Sequence, residues 1–255
     1  MTDKRYAHVT QDALGVVTKN ANGSWTGLVT DGVESCAVYV FECESGVAMC
    51  HDSLQLKFES IIDAVSTLGS VNGIKVLTSA KRSGVQHEKR LSELCQQLKV
   101  LDLDVERLTS PRDPFVAVYD LVEGRLGHVV GLPERTVSPS DIAYRNAVAK
   151  VNYTFMTPNA QNLPVNVQFM DDDYLRALEP LFSLAEVLAR LEAEPKYFHM
   201  NLSVLLEAHQ AKVYALSEPI IGFARAINVW PGSWSGLNSD QAVNHQLFRQ
   251  QVLSR

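Results

Sequence analysis

Three of the four cysteines fall in residues 29–53, VTDGVESCAVYVFECESGVAMCHDS, together with Thr30 and His51. Cysteine acts as a nucleophile only as its thiolate, and the free thiol titrates near ~8.5. An imidazole within reach can take that proton, which gives the Cys–His pair of acyl transfer. A third polar group then orients the ring or the substrate. Cys36 follows the glycine-containing turn TDGVES, where free backbone N–H groups could hold an oxyanion. His51 lies fifteen residues after Cys36, and Thr30 six before it.

Whether Cys36 and His51 meet depends on strand register. If CAVYVFEC and GVAMCH form a hairpin with Cys43 against Gly46, His51 sits opposite Val38, on the face of Cys36, with Cβ atoms about 7–8 Å apart. If Cys43 pairs instead with Val47, the two side chains point to opposite faces unless a bulge intervenes. A competing reading treats cysteine as a small, buried apolar residue, and it is the reading for Cys43, Cys50 and Cys95. Asp52 reads as a turn residue, because adjacent strand residues face opposite ways. For the same reason a zinc site at Cys36, Cys50 and His51 is the weaker reading, since zinc would also need further ligands, and no metal is expected. A catalytic Cys36 is expected to alkylate quickly at neutral pH, and slowly without His51.

The run from Thr30 to His51 resembles the active-site segment of the bacterial protein-glutamine deamidases. These include the chemoreceptor deamidases (CheD), the catalytic domain of cytotoxic necrotizing factors, and Burkholderia lethal factor. In the chemoreceptor enzymes a threonine precedes a Gly-Leu-Gly-Ser-Cys segment and a Gly-Gly-x-x-His segment follows. Here GVESC ends at Cys36 with Thr30 at the matching distance, and VAMCH ends at His51. The toxins' Leu-Ser-Gly-Cys core stands here as Val33-Glu34-Ser35-Cys36. The likeness covers roughly residues 15 to 110. It implies Cys36 as nucleophile, His51 as base and Thr30 as orienting group. It implies hydrolysis of a glutamine side-chain amide on a protein substrate, with no cofactor. The Lys-x-Phe-Gly-Gly-Ala segment of the chemoreceptor enzymes is missing, and the long C-terminal region has no counterpart in them. A toxin or effector-like deamidase of a host protein fits that length better. The alternatives are a thiol protease or acyltransferase using the same pair, and a non-catalytic protein-binding module. The related laccase-domain enzymes carry a metal-binding histidine upstream of the cysteine, a place only His8 could fill.

The elements around these residues predict an α/β class, an α+β layered sandwich with a mixed sheet core, flanking helices and a helix-rich C-terminal extension. GVVTK and WTGLVT read as strands separated by the turn signal NANGS. Phe58, Ile61, Ile62, Val65 and Leu68 recur at helical spacing up to Gly69. GIKVLTSA reads as a buried strand, and HEKRLSELCQQLKVL as a second helix through Leu91, Leu94, Cys95 and Leu98. DVERLT and the pair in PFVAVYDLVEGRLGHVV read as strands, GLPERTVSPS as a surface connection, DIAYRNAVAKV as a helix and PVNVQFM as a strand. DDDYLRALEPLFSLAEVLARLEAEP reads as one helix with an acidic start, interrupted at Pro180. A catalytic core over 1–135 and an extension over 136–255, packed into the same domain, are expected.

The chain has 255 residues, 46% of them hydrophobic, enough for a sizeable core. A net charge of -6 with scattered basic residues speaks against nucleic acid. The small cluster Lys81-Arg82 with Lys89-Arg90 reads as a solvated helix face. No run approaches the ~18 apolar residues of a membrane span. The polar N-terminus lacks a signal-peptide core, so a cytoplasmic protein, or one exported without a cleaved signal, is expected. Asp171, Asp172 and Asp173 read as a helix cap, and Trp230 and Trp234 as a packed turn.

Overall fold

The computed structural model describes residues 5–19, 25–81, 84–156, 163–169, 174–175, 178–232 and 240–253. The NANGS turn, the Asp171–Asp173 triplet and Trp234 lie outside the described residues. The protein is of the α/β class, with two mixed sheets. It divides into two compact units, Met1–Ser140 with Asn159–Ala177, and Asp141–Pro158 with Leu178–Arg255.

The first unit is built on the sheets. One has the order β10-β1-β3-β8-β9: Thr136–Val137, Tyr6–His8, Gly27–Val33, Phe115–Asp120 and Arg125–Val129. The other runs β12-β11-β2-β5-β4-β6-β7: Tyr174–Leu175, Asn166–Phe169, Ala13–Thr18, Gly46–Asp52, Ala37–Cys43, Val71–Ser79 and Val105–Ser110. One apolar cluster joins them, with Leu28, Val33, Phe115 and Ala117 from the first sheet and Val38, Val40 and Met49 from the second. Alternation on β4 sends Tyr39 and Phe41 to the opposite face, and Ala37 to Phe41 are all fully buried. A strand buried on both faces needs the continuous apolar run that CAVYVF supplies. On that opposite face α2 (Val85–Leu98) reaches β5 through Arg90, whose guanidinium also lies over the ring of Phe58 at the start of α1 (Phe58–Ser66).

The hairpin takes the first of the two registers: Val38 pairs with His51 and Ala37 with Asp52, the alignment that sets Cys43 against Gly46. On its other side β5 pairs with β2, where a Cβ at Gly46 would lie 2.4 Å from the Val17 carbonyl oxygen. A side chain is excluded where two backbones approach so closely.

Several expectations change. GVVTK and WTGLVT are strands, but β2 and β3 belong to different sheets. The surface connection GLPERTVSPS contains β10, which pairs in parallel with β1. The segment expected as one long helix from the aspartates instead contains β12, and α4 (Leu184–Ala193) starts only after Pro180. Its start is fixed by a capping box in which Ser183 and Glu186 bond each other's backbone N–H groups. Arg90 does not face solvent as expected: it is 2% exposed and paired with Asp52. Cys95 is only half-buried, whereas Cys43 and Cys50 are buried.

The second unit holds α3 (Ile142–Phe155), α4, α5 (Phe198–Gln210), α6 (Glu218–Ala226) and α7 (Gln241–Phe248). Its core centres on Phe198, whose ring meets those of Phe223, His245 and Phe248. Among the described residues no helix is long and apolar enough to cross a membrane.

Candidate active site

Thr30 and His51 come from different sheets and meet between them. Thr30 lies on β3, His51 on β5, and Thr30 Oγ1 is 2.7 Å from His51 Nδ1. Thr30 is fully buried and His51 is 1% exposed. The other ring nitrogen, Nε2, is buried without a hydrogen-bond partner among the described residues. If Nδ1–H donates to the threonine, the Nε2 lone pair is left available as a base.

Cys36 immediately precedes β4, on the side of the hairpin that carries Val38 and His51, and is a diagonal neighbour of His51. It is 8% exposed, while Glu34 and Ser35 before it are open to solvent. His87, in the first turn of α2, donates Nε2–H to the Ser35 carbonyl at 3.1 Å and so pins the residue before the thiol. The ladder ends at Ala37 against Asp52, and Ser53, the next residue after β5, is held by Asp12.

Asp52 and Cys50 point to the other face of β5, as alternation requires. Asp52 is not a turn residue as expected. It ends β5 fully buried, accepts from Arg90 Nε at 2.9 Å, and caps the amide of Leu54 at 2.8 Å. Asp12, which the sequence reading missed, takes up a left-handed backbone conformation before β2. Its amide donates to the His51 carbonyl, and its carboxylate accepts from the Ser53 amide at 3.1 Å.

These surroundings hold the pair neutral. Burial pushes the Cys36 thiol well above its ordinary value, and the carboxylates of Asp12, Asp52 and Glu34 push the same way. Burial lowers His51 to about 4, against a smaller opposing pull from Asp31. Asp12 is raised to about 6, first by burial and then by the charge of Asp52. A resting thiolate–imidazolium ion pair is therefore disfavoured. His8 does not join Cys36: its Nε2 is bonded to Asp31.

Replacing Thr30 with valine keeps the volume but strands His51 Nδ1 in the core. A buried polar group left unmatched costs about 1–3 kcal/mol. Thr30→Val is expected to lose that much stability in urea unfolding, and an unchanged midpoint would mean the contact carries no weight.

The chain thus brings Thr30 and His51 into direct contact and sets Cys36 on the same side of one hairpin, while Asp52 and Cys50 are turned away. No family model matches the chain, and no curated protein matches its sequence.

Proposed function

We propose that the protein is a cysteine-dependent protein glutamine deamidase, converting a glutamine of a protein substrate to glutamate and ammonia. The observation that carries this reading is the buried 2.7 Å Thr30–His51 contact, which leaves Nε2 without a partner among the described residues, on a side chain that shares its hairpin face with Cys36. A threonine, a cysteine and a histidine at this spacing are what the resemblance requires.

In this scheme His51 Nε2 takes the Cys36 proton as sulfur bonds to the amide carbon of the glutamine. Amides at the start of β4, around Cys36, hold the oxyanion. His51 returns the proton to nitrogen, the C–N bond breaks, and ammonia leaves a thioester. Water, deprotonated by His51, then attacks, releasing glutamate and the thiol. Thr30 fixes the ring by its hydroxyl. The carboxylates near Cys36 favour a neutral amide over the anionic product, which helps expel glutamate. The partner is a protein presenting an exposed glutamine, and an effector or toxin role is part of the same proposal.

The burial of both Cys36 and His51 favours a second reading, a protein-binding module in which the pair only packs. One experiment separates them. A cell lysate treated with wild type should show Gln-to-Glu conversion, a gain of about one dalton at defined sites, that Cys36→Ala does not produce. Identical profiles for the two proteins would remove the deamidase reading. Chain cleavage dependent on Cys36 would replace it with proteolysis.

A further inference from the structure

A second chain of polar groups runs across three neighbouring strands of the five-stranded sheet. Ala7 and Val9 face the core between the sheets, so alternation turns His8 to the sheet's other face. The parallel pairing of Ala7 with Val137 brings Ser138, the next residue after β10, beside His8. On the other side β1 pairs with β3, His8 against Val29, and the β3 irregularity between Thr30 and Val33 turns Asp31 toward the ring. Gly32 supports that irregularity with a φ of +64°, which favours glycine.

The contacts form one line. Ser138 Oγ is 2.8 Å from His8 Nδ1, and Asp31 Oδ1 is 3.1 Å from His8 Nε2. An ionised carboxylate can only accept, so Nε2 carries the proton and Nδ1 of the neutral ring accepts from the serine hydroxyl. Ser138 is exposed, His8 is 3% exposed, and Asp31 is half-exposed. An open hydroxyl, a buried imidazole behind it and a carboxylate behind that are the parts of an activated serine.

We propose that Ser138, His8 and Asp31 form a second nucleophilic site, which hydrolyses short acyl esters independently of Cys36. His8 Nδ1 takes the hydroxyl proton as Oγ bonds to the acyl carbon. The ester C–O bond breaks, and His8 gives that proton to the departing alcohol. Water, deprotonated by His8, then cleaves the acyl-serine to release the carboxylic acid and restore the hydroxyl. Ser138 sits at an open strand end, which suits a small acyl group such as acetyl. Asp31 is a positioning residue that holds the ring and its tautomer.

The test uses the full-length chain carrying Cys36→Ala, so that no thiol contributes. A fluorophosphonate probe should label Ser138, located by peptide mapping, and p-nitrophenyl acetate should be hydrolysed. Ser138→Ala should abolish both. Asp31→Asn removes the carboxylate that holds the ring and its tautomer, and should lower kcat for the ester by about 10²–10⁴-fold with KM unchanged and the protein still folded by circular dichroism. Because Asp31 is half-exposed, this variant keeps the test clear of a misfolded His8 substitution. No adduct on Ser138 in the folded protein, or equal kcat with and without the Asp31 carboxylate, would overturn the proposal. Neither result touches the Cys36 reading, which the lysate experiment decides separately.

Discussion

Iodoacetamide at pH 7 is expected to modify Cys36 in the folded protein at least about tenfold more slowly than in the unfolded chain. Burial and three nearby carboxylates hold the thiol protonated. Each tenfold loss of thiolate is offset only in part by the greater nucleophilicity of a more basic sulfur. This reverses the expectation from sequence, where a catalytic cysteine next to a histidine should alkylate quickly. The reversal extends to His51. Since His51 is lowered to about 4, it carries no charge at neutral pH that could hold a thiolate. His51→Gln should therefore leave the slow alkylation nearly unchanged, yet cut deamidation by about 10²–10⁴-fold, the usual contribution of a positioned general base. The base works only when unprotonated, so activity should persist on acidification until the pH falls through about 4. Time-resolved mass spectrometry of the Cys36 peptide, native and in denaturant, measures the first effect. Fast native alkylation that His51→Gln abolishes would show that a resting ion pair forms after all.

The hairpin and its helices were legible because their signals are local. Val85–Leu98 and Phe58–Ser66 follow helical apolar spacing, and the two apolar runs around Glu44-Ser45 announce β4 and β5. Which register they take was not legible, since both were open on pattern alone. The strands that flank the hairpin, β2 beside β5 and β6 beside β4, come from elsewhere in the chain. The assignment of β2 and β3 to separate sheets is non-local in the same way. Arg90 was misread because its periodic position looks like that of any helix arginine, and only Asp52 on a distant strand explains its burial. Thr30, Cys36 and His51 could be named because residue type and spacing survive in one dimension. Asp12, His87 and the Ser138–His8–Asp31 line could not, since each acts through a partner more than twenty residues away.

Replacing Asp12 with asparagine should expose an acid sensitivity that the wild type conceals. His51, lowered to about 4 when folded, titrates near ~6.5 when unfolded. Its contribution is fully present above that unfolded value and is lost as the pH falls toward 4. Asp12 has the opposite sign. Raised to about 6 in the fold, it binds a proton there that the unfolded chain binds only near ~3.9, so acidification through 6 stabilises the fold. Between about pH 6 and 4 one group makes unfolding take up a proton and the other makes it release one, so their slopes cancel. Asp12→Asn removes one side. Relative to wild type, stability should then fall by about 1.4 kcal/mol per pH unit across that window, nearly 3 kcal/mol in all. Asp31, lowered by its bond to His8, remains in both proteins and drops out of the comparison. Asp52, itself raised by burial, is coupled to Asp12 through its charge, so the slope belongs to the carboxylate pair. Urea unfolding at half-unit steps from pH 7 to 4 reads the difference directly, and parallel curves would mean the two titrations are not linked to folding as described. The same proton matters at the thiol. Below about pH 6 Asp12 becomes neutral, and one of the charges that oppose a Cys36 thiolate disappears while His51 is still an unprotonated base. For the proposed deamidase this predicts an activity optimum on the acidic side of neutrality, bounded below by protonation of His51.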